Sequence, residues 1–171
     1  MRLVPLDGND EPSSHDALPA IGEFVPALTL PRVGGGSVSL RESRTTPALV
    51  VLWSARCLAA EGAIEAVRWL AAEYGPSKVA VLVLADSRGD ASSLEKLAGV
   101  GPGVQVALAD QELSEHFARR SLRRWKAAVP LPSFLLLDTA GRIAYRQVGI
   151  ESAPGAGLRR VAAMLDRLLA E

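Results

Sequence analysis

The chain carries one cysteine, Cys57, in the run WSARCLAAE from Trp53 to Glu61. A cysteine does chemistry as its thiolate, which attacks disulfide sulfur or peroxide oxygen. Arg56 precedes Cys57 in the chain, and a helical pattern follows it. Both the guanidinium and the positive end of a helix dipole therefore favour the ionised thiol. Three jobs suit such a lone thiol: a mixed disulfide resolved by an outside thiol, peroxide reduction through a sulfenic acid, or capture of a partner's cysteine. One thiol cannot close an intramolecular disulfide. The plainer reading, which fits most free cysteines, is a small buried hydrophobe with no chemistry.

Other reactive residue types are scattered. His15 and His116 have no second ligand at metal spacing, so no metal site is expected. GVGPGV at Gly99 to Val104 lacks the strand-before, helix-after setting of a dinucleotide loop and reads as a turn. Nothing in the sequence calls for a cofactor. Asp86 and Asp110 follow strand ends, where lining one edge of the sheet and a capping role explain each equally well. ARRSLRRWK holds Arg119, Arg120, Arg123, Arg124 and Lys126 around Trp125. It is a candidate surface for an acidic protein partner, with a solvated basic helix face as the plainer alternative.

The elements that must position Cys57 come from an ordinary globular composition: 171 residues, 49% hydrophobic, 22% charged, formal net charge zero. With no excess of positive charge, nucleic-acid binding is not expected. Residues 1–20 are rich in Pro, Asp, Ser and Gly and read as a flexible lead-in, and residues 21–171 as one domain. The longest apolar runs are far shorter than the roughly 20 residues of a spanning helix. The N-terminus lacks the basic start and apolar stretch of a secretory signal. A cytoplasmic protein is expected if Met1 is the native start, and an extracytoplasmic one if a signal or anchor has been removed.

Two short β-like runs, Ala27 to Leu30 and Ser37 to Leu40, flank PRVGGG and predict a hairpin. ALVVLW at Ala48 to Trp53 reads as a strand buried on both faces, followed almost at once by a helix in which Ile64, Val67, Ala71 and Tyr74 recur at helical steps up to Gly75-Pro76. KVAVLVLA and VQVAL predict two more strands. Between them, Ser92 to Glu95 fits a capping box opening a short helix. Gln111 to Lys126 reads as helical. Phe134 to Leu137 and Arg142 to Val148 predict an antiparallel pair joined at Asp138 to Gly141, and Leu158, Val161, Leu165 and Leu168/Leu169 mark a closing amphipathic helix. The pattern is α/β, a central mixed sheet flanked by helices, with an N-terminal hairpin.

On these residues the chain resembles thioredoxin-like proteins of the TlpA/ResA type. WSARCLAAE is similar to their WAxWCxxCxxE turn, IGEFVPALTLPRVGGGSVSL to their N-terminal hairpin, and VPLPSFLLLDTAGRIAYRQVG to their proline loop and sheet hairpin. The resemblance runs from about Ile21 to Glu171 and implies a thioredoxin fold. It implies Cys57 as the attacking cysteine, Pro132 as a cis-proline facing it, and Leu131 as the residue whose backbone pairs with a substrate segment. Trp53 and Ser54 would border the bound substrate. Three departures stand out: Arg56 replaces an aromatic, Ala60 replaces the resolving cysteine, and the family's glutamate falls at Ala63, with Glu61 offset.

A dithiol cycle needs a second thiolate to break the mixed disulfide, so this chain cannot run one alone. The expectation is a single-cysteine redox protein acting through Cys57 on a protein or small-molecule thiol or disulfide. Ser54-Ala-Arg-Cys57 also resembles the T/S-x-x-C of peroxiredoxins, although their upstream proline falls on Val50 and their later arginine on Leu131. A one-cysteine peroxidase is thus one alternative. A non-catalytic thioredoxin-fold binding module is the other.

Overall fold

Strand β3 (Ala48–Trp53) is the middle of the molecule, and its side chains explain why. All six residues are buried, and alternate side chains enter different cores: Leu49, Val51 and Trp53 on one side, Ala48, Val50 and Leu52 on the other. A strand apolar on both faces must have layers on both. The computed structural model describes residues 18–41, 44–86, 91–109, 131–150 and 156–171. In chain order the elements are β1 (Thr29–Pro31), β2 (Ser37–Ser39), β3, α1 (Ala60–Tyr74), β4 (Ala80–Asp86), α2 (Ala91–Ala98), β5 (Val104–Ala109), β6 (Ser133–Leu137), β7 (Ile143–Val148) and α3 (Ala156–Ala170).

The main sheet has the order β5-β4-β3-β6-β7. β3, β4 and β5 run parallel, whereas β6 pairs antiparallel with β3 and with β7. One core lies between the sheet and the helices: Ala63, Ala66, Val67 and Leu70 of α1, Leu97 of α2, and Val161 and Leu165 of α3 close over Val81, Val83, Phe134 and Leu136. On the opposite face Val38 and Leu40 from the hairpin, with Leu18 and Val25, cover Leu82, Leu84, Leu135 and Leu137. The hairpin forms as its sequence predicts, with Gly34, Gly35 and Gly36 at φ of 90°, 104° and 80°, values that other residues rarely adopt.

Open sheet edges invite pairing with other chains, and both edges carry covering chain. The Val33 N–H donates to the Val106 carbonyl at 2.8 Å, placing the hairpin turn over β5. Along β7, Gly22 N–H donates to the Ile143 carbonyl at 2.7 Å and Ile143 N–H returns to Glu23 at 2.8 Å. Leu18, inside the stretch read as a lead-in, is only 2% exposed. Its side chain packs in the hairpin-side core, and Arg146 anchors its backbone, with Nη1 donating to the carbonyls of Leu18 and Pro19 at 2.8 and 3.1 Å.

Two local expectations shift. α2 already begins at Ala91, so Ser92 lies in its first turn rather than at its cap. α1 begins at Ala60 with Ala59 at its N-cap, three residues beyond Cys57. The physical reason is the intervening turn, in which Cys57 N–H donates to the Ser54 carbonyl at 3.1 Å and Ala60 N–H to the Cys57 carbonyl at 3.0 Å. The helix expected at 111–126 and the basic run at Arg119, Arg120, Arg123 and Arg124 lie outside the described residues, as do His15, His116 and Asp110.

Candidate functional site

The turn between β3 and α1 is built from its buried end outward. Trp53, the last residue of β3, is 3% exposed, and its indole N–H donates to the Ala60 carbonyl at 3.0 Å. That bond ties the first turn of α1 to the end of the strand. Ser54 is also buried, at 5% exposure, and its Oγ accepts the Arg56 N–H at 3.3 Å. Both side chains therefore support the turn from behind. Arg56 and Leu58 point outward on either side of Cys57, and Leu58 is fully exposed. The Arg56 guanidinium makes no hydrogen bond or ion pair with a described residue.

Cys57 is half-buried, and its Sγ–H donates to the Leu131 carbonyl at 2.9 Å. Those two residues are 74 apart in the chain. The loop before β6 brings them together, and it is fixed by Gly149, whose N–H donates to the Pro132 carbonyl at 2.7 Å. The Leu131–Pro132 peptide bond is cis. Pro132 is buried and Leu131 half-buried. Ala60, at the position the resemblance gives to a second thiol, is 8% exposed and packs into the helix-side core.

Cys57, Leu131, Pro132 and Ala60 thus converge on one end of the sheet, with Trp53 and Ser54 beneath and Arg56 at the rim. The contact of Cys57 with Leu131 had no local sequence signal. Only the resemblance linked these distant positions. Among the described residues there is no group of three or more His, Cys, Asp or Glu side chains arranged to hold a metal. No described helix is long and apolar enough to cross a membrane.

A parallel β3-β4-β5 unit, an antiparallel β6-β7 pair, helices packed on the sheet and a cysteine turn facing a proline loop define a thioredoxin-like fold. Solved structures agree. A thiol:disulfide interchange protein from Bacteroides sp. superposes with a TM-score of 0.63 at 18% identity, over 88% of this chain and 92% of that one. A thio-disulfide isomerase from Thermus thermophilus gives 0.58 at 20% identity, over 85% and 96%. An uncharacterized conserved protein from Geobacillus kaustophilus gives 0.70 at 19% identity, over 88% and 82%. At such identities the likeness establishes the fold. No protein-family model matches the chain. No curated protein matches it either.

Proposed function

We propose that the protein is a single-cysteine thiol-disulfide exchange protein acting through Cys57. The observation that carries this reading is the half-buried Cys57 Sγ held 2.9 Å from the Leu131 carbonyl, directly before Pro132. It occurs on a fold shared with thiol:disulfide interchange proteins. The Cys57 thiolate attacks one sulfur of a disulfide, forming a Cys57–substrate mixed disulfide and releasing the other sulfur as a thiolate, which takes up a proton. Ala60 offers no sulfur for the second step. An external thiol therefore attacks the substrate sulfur of the mixed disulfide, restoring Cys57 and leaving the substrate joined to that thiol. Leu131 contributes backbone for a bound substrate segment, Pro132 shapes the loop that faces the thiol, Trp53 and Ser54 hold the turn, and Arg56 contributes positive charge at the rim.

The experiment is glutathione exchange and insulin reduction, measured on this chain beside an Ala60→Cys variant. Exchange by both proteins supports the single-thiol reading. Activity confined to Ala60→Cys identifies a dithiol site that has lost its partner sulfur. Activity in neither favours a binding module.

A further inference from the structure

At the end of the sheet away from Cys57, the ring of Phe24 carries two guanidinium groups, with Arg41 Cζ 4.5 Å and Arg142 Cζ 4.1 Å from its centroid. β6 begins next to the Leu131–Pro132 loop and runs away from it to Leu137, so the Asp138–Arg142 turn stands at the far end from the thiol. Three separate segments build the stack. Phe24 bridges Arg142 at the start of β7, and Arg41 follows β2. The two cations stand within about 9 Å of one another, comparable with the Debye length at physiological salt, so each feels the other's charge.

Stacking on a ring holds a guanidinium in place but leaves its rim of N–H donors and its charge unspent. Arg142 Nη1 donates to the Gly22 carbonyl at 3.2 Å. Arg41 makes no hydrogen bond with a described residue. Among the described residues, the carboxylates nearby are occupied by backbone: Glu23 Oε2 accepts Ala20 N–H at 3.0 Å, and Asp138 Oδ1 accepts the N–H groups of Ala140 and Arg142 at 2.9 and 2.8 Å. Neither makes an ion pair with Arg41 or Arg142. Arg44 adds positive charge at the same end, its guanidinium donating to the Ser39 and Leu40 carbonyls.

We infer that the Arg41–Phe24–Arg142 stack is a docking point for an acidic peptide segment of a partner protein. On an extended segment, carboxylates two residues apart share a face at roughly 7 Å, which falls inside the span of at most about 9 Å available to the two guanidinium forks. The half-buried Phe24 ring that holds both guanidinium groups adds apolar surface beside them. Nucleic acid demands a broader basic surface, and 19 acidic residues balance 19 basic ones in this chain.

The test is fluorescence anisotropy of the full chain with a labelled alternating Glu-Ser octapeptide at low salt, beside its Lys-Ser counterpart and an oligothymidylate of the same net charge as the acidic peptide. Saturable binding of the Glu-Ser peptide alone is expected. Arg41→Gln and Arg142→Gln should each weaken it about tenfold, and Phe24→Leu several-fold. Cys57→Ser should bind as the parent does, which separates this surface from the thiol's function. Arg41→Gln removes only an exposed side chain, and circular dichroism of that variant checks that its fold is intact. Absence of saturable binding, parental affinity in both Gln variants, or equal binding of the oligothymidylate would each overturn the proposal.

Discussion

Cys57 depends on neighbours that reach it from two directions. Leu131 meets its Sγ from the front, and Trp53 secures the turn from behind through the Ala60 carbonyl. Trp53→Phe removes that N–H donor and leaves a gap in the helix-side core. Urea unfolding should register a loss of ~1–3 kcal/mol. A change of less than ~0.3 kcal/mol would show that the indole does not secure the first turn of α1. The basic residue beside the thiol and the alanine three residues after it, where the resemblance implies a second thiol, were both legible in the sequence because they lie so close to Cys57. The Arg41–Phe24–Arg142 stack was not, since its members lie on three separate segments with no shared periodicity.

Among the elements, α1 and α3 are joined by Tyr74, whose hydroxyl donates to Asp166 Oδ1 at 2.9 Å and also lies 3.2 Å from the Ala162 carbonyl. Burial first, and the Asp166 carboxylate second, push the Tyr74 hydroxyl up from 10.0 to about 12. Between those values the folded protein holds a proton that the unfolded chain has lost, so stability falls as pH rises. The contribution is complete below pH 10 and gone once pH passes about 12. Tyr74→Phe should lack this part of the alkaline decline in a denaturation series, and an unchanged decline would contradict the assignment. Gly103, leading into β5, has φ of 82°, and a Cβ there would lie 2.6 Å from Pro76 Cβ. Gly103→Ala is therefore expected to cost about 2 kcal/mol in chemical unfolding, and a neutral result would mean that the Pro76 loop yields freely. Elements with strong patterns were readable to within a residue or two: β3 matches its apolar run, and Gly75-Pro76 ends α1 as expected. The start of α1 was less so, because the turn bonds around Cys57, rather than a capping side chain at Ala59, decide where it begins.

At the scale of the molecule, one sheet separates two cores and links them through shared strands. Leu70→Ala on the helix side and Leu40→Ala on the hairpin side should each lower stability by ~2–5 kcal/mol. Both should shift a single transition seen alike by tryptophan fluorescence and far-UV circular dichroism. Separate transitions would mean that the two faces unfold independently. The burial of Leu18 belongs to this scale too: a leucine among Pro, Asp and Ser residues reads as lead-in, and only the hairpin-side core and Arg146, 128 residues later, show what holds it. The whole arrangement presents one thiol in front of a proline loop, and the function proposed for it requires that its chemistry be completed from outside the chain. Intact mass of the protein after oxidised glutathione, and again after an excess of a second thiol, tests that most directly. Cys57 should gain one glutathione and then return to the free thiol, while Cys57→Ser stays unchanged throughout; an unmodified Cys57, or an adduct that the second thiol does not remove, would contradict the account.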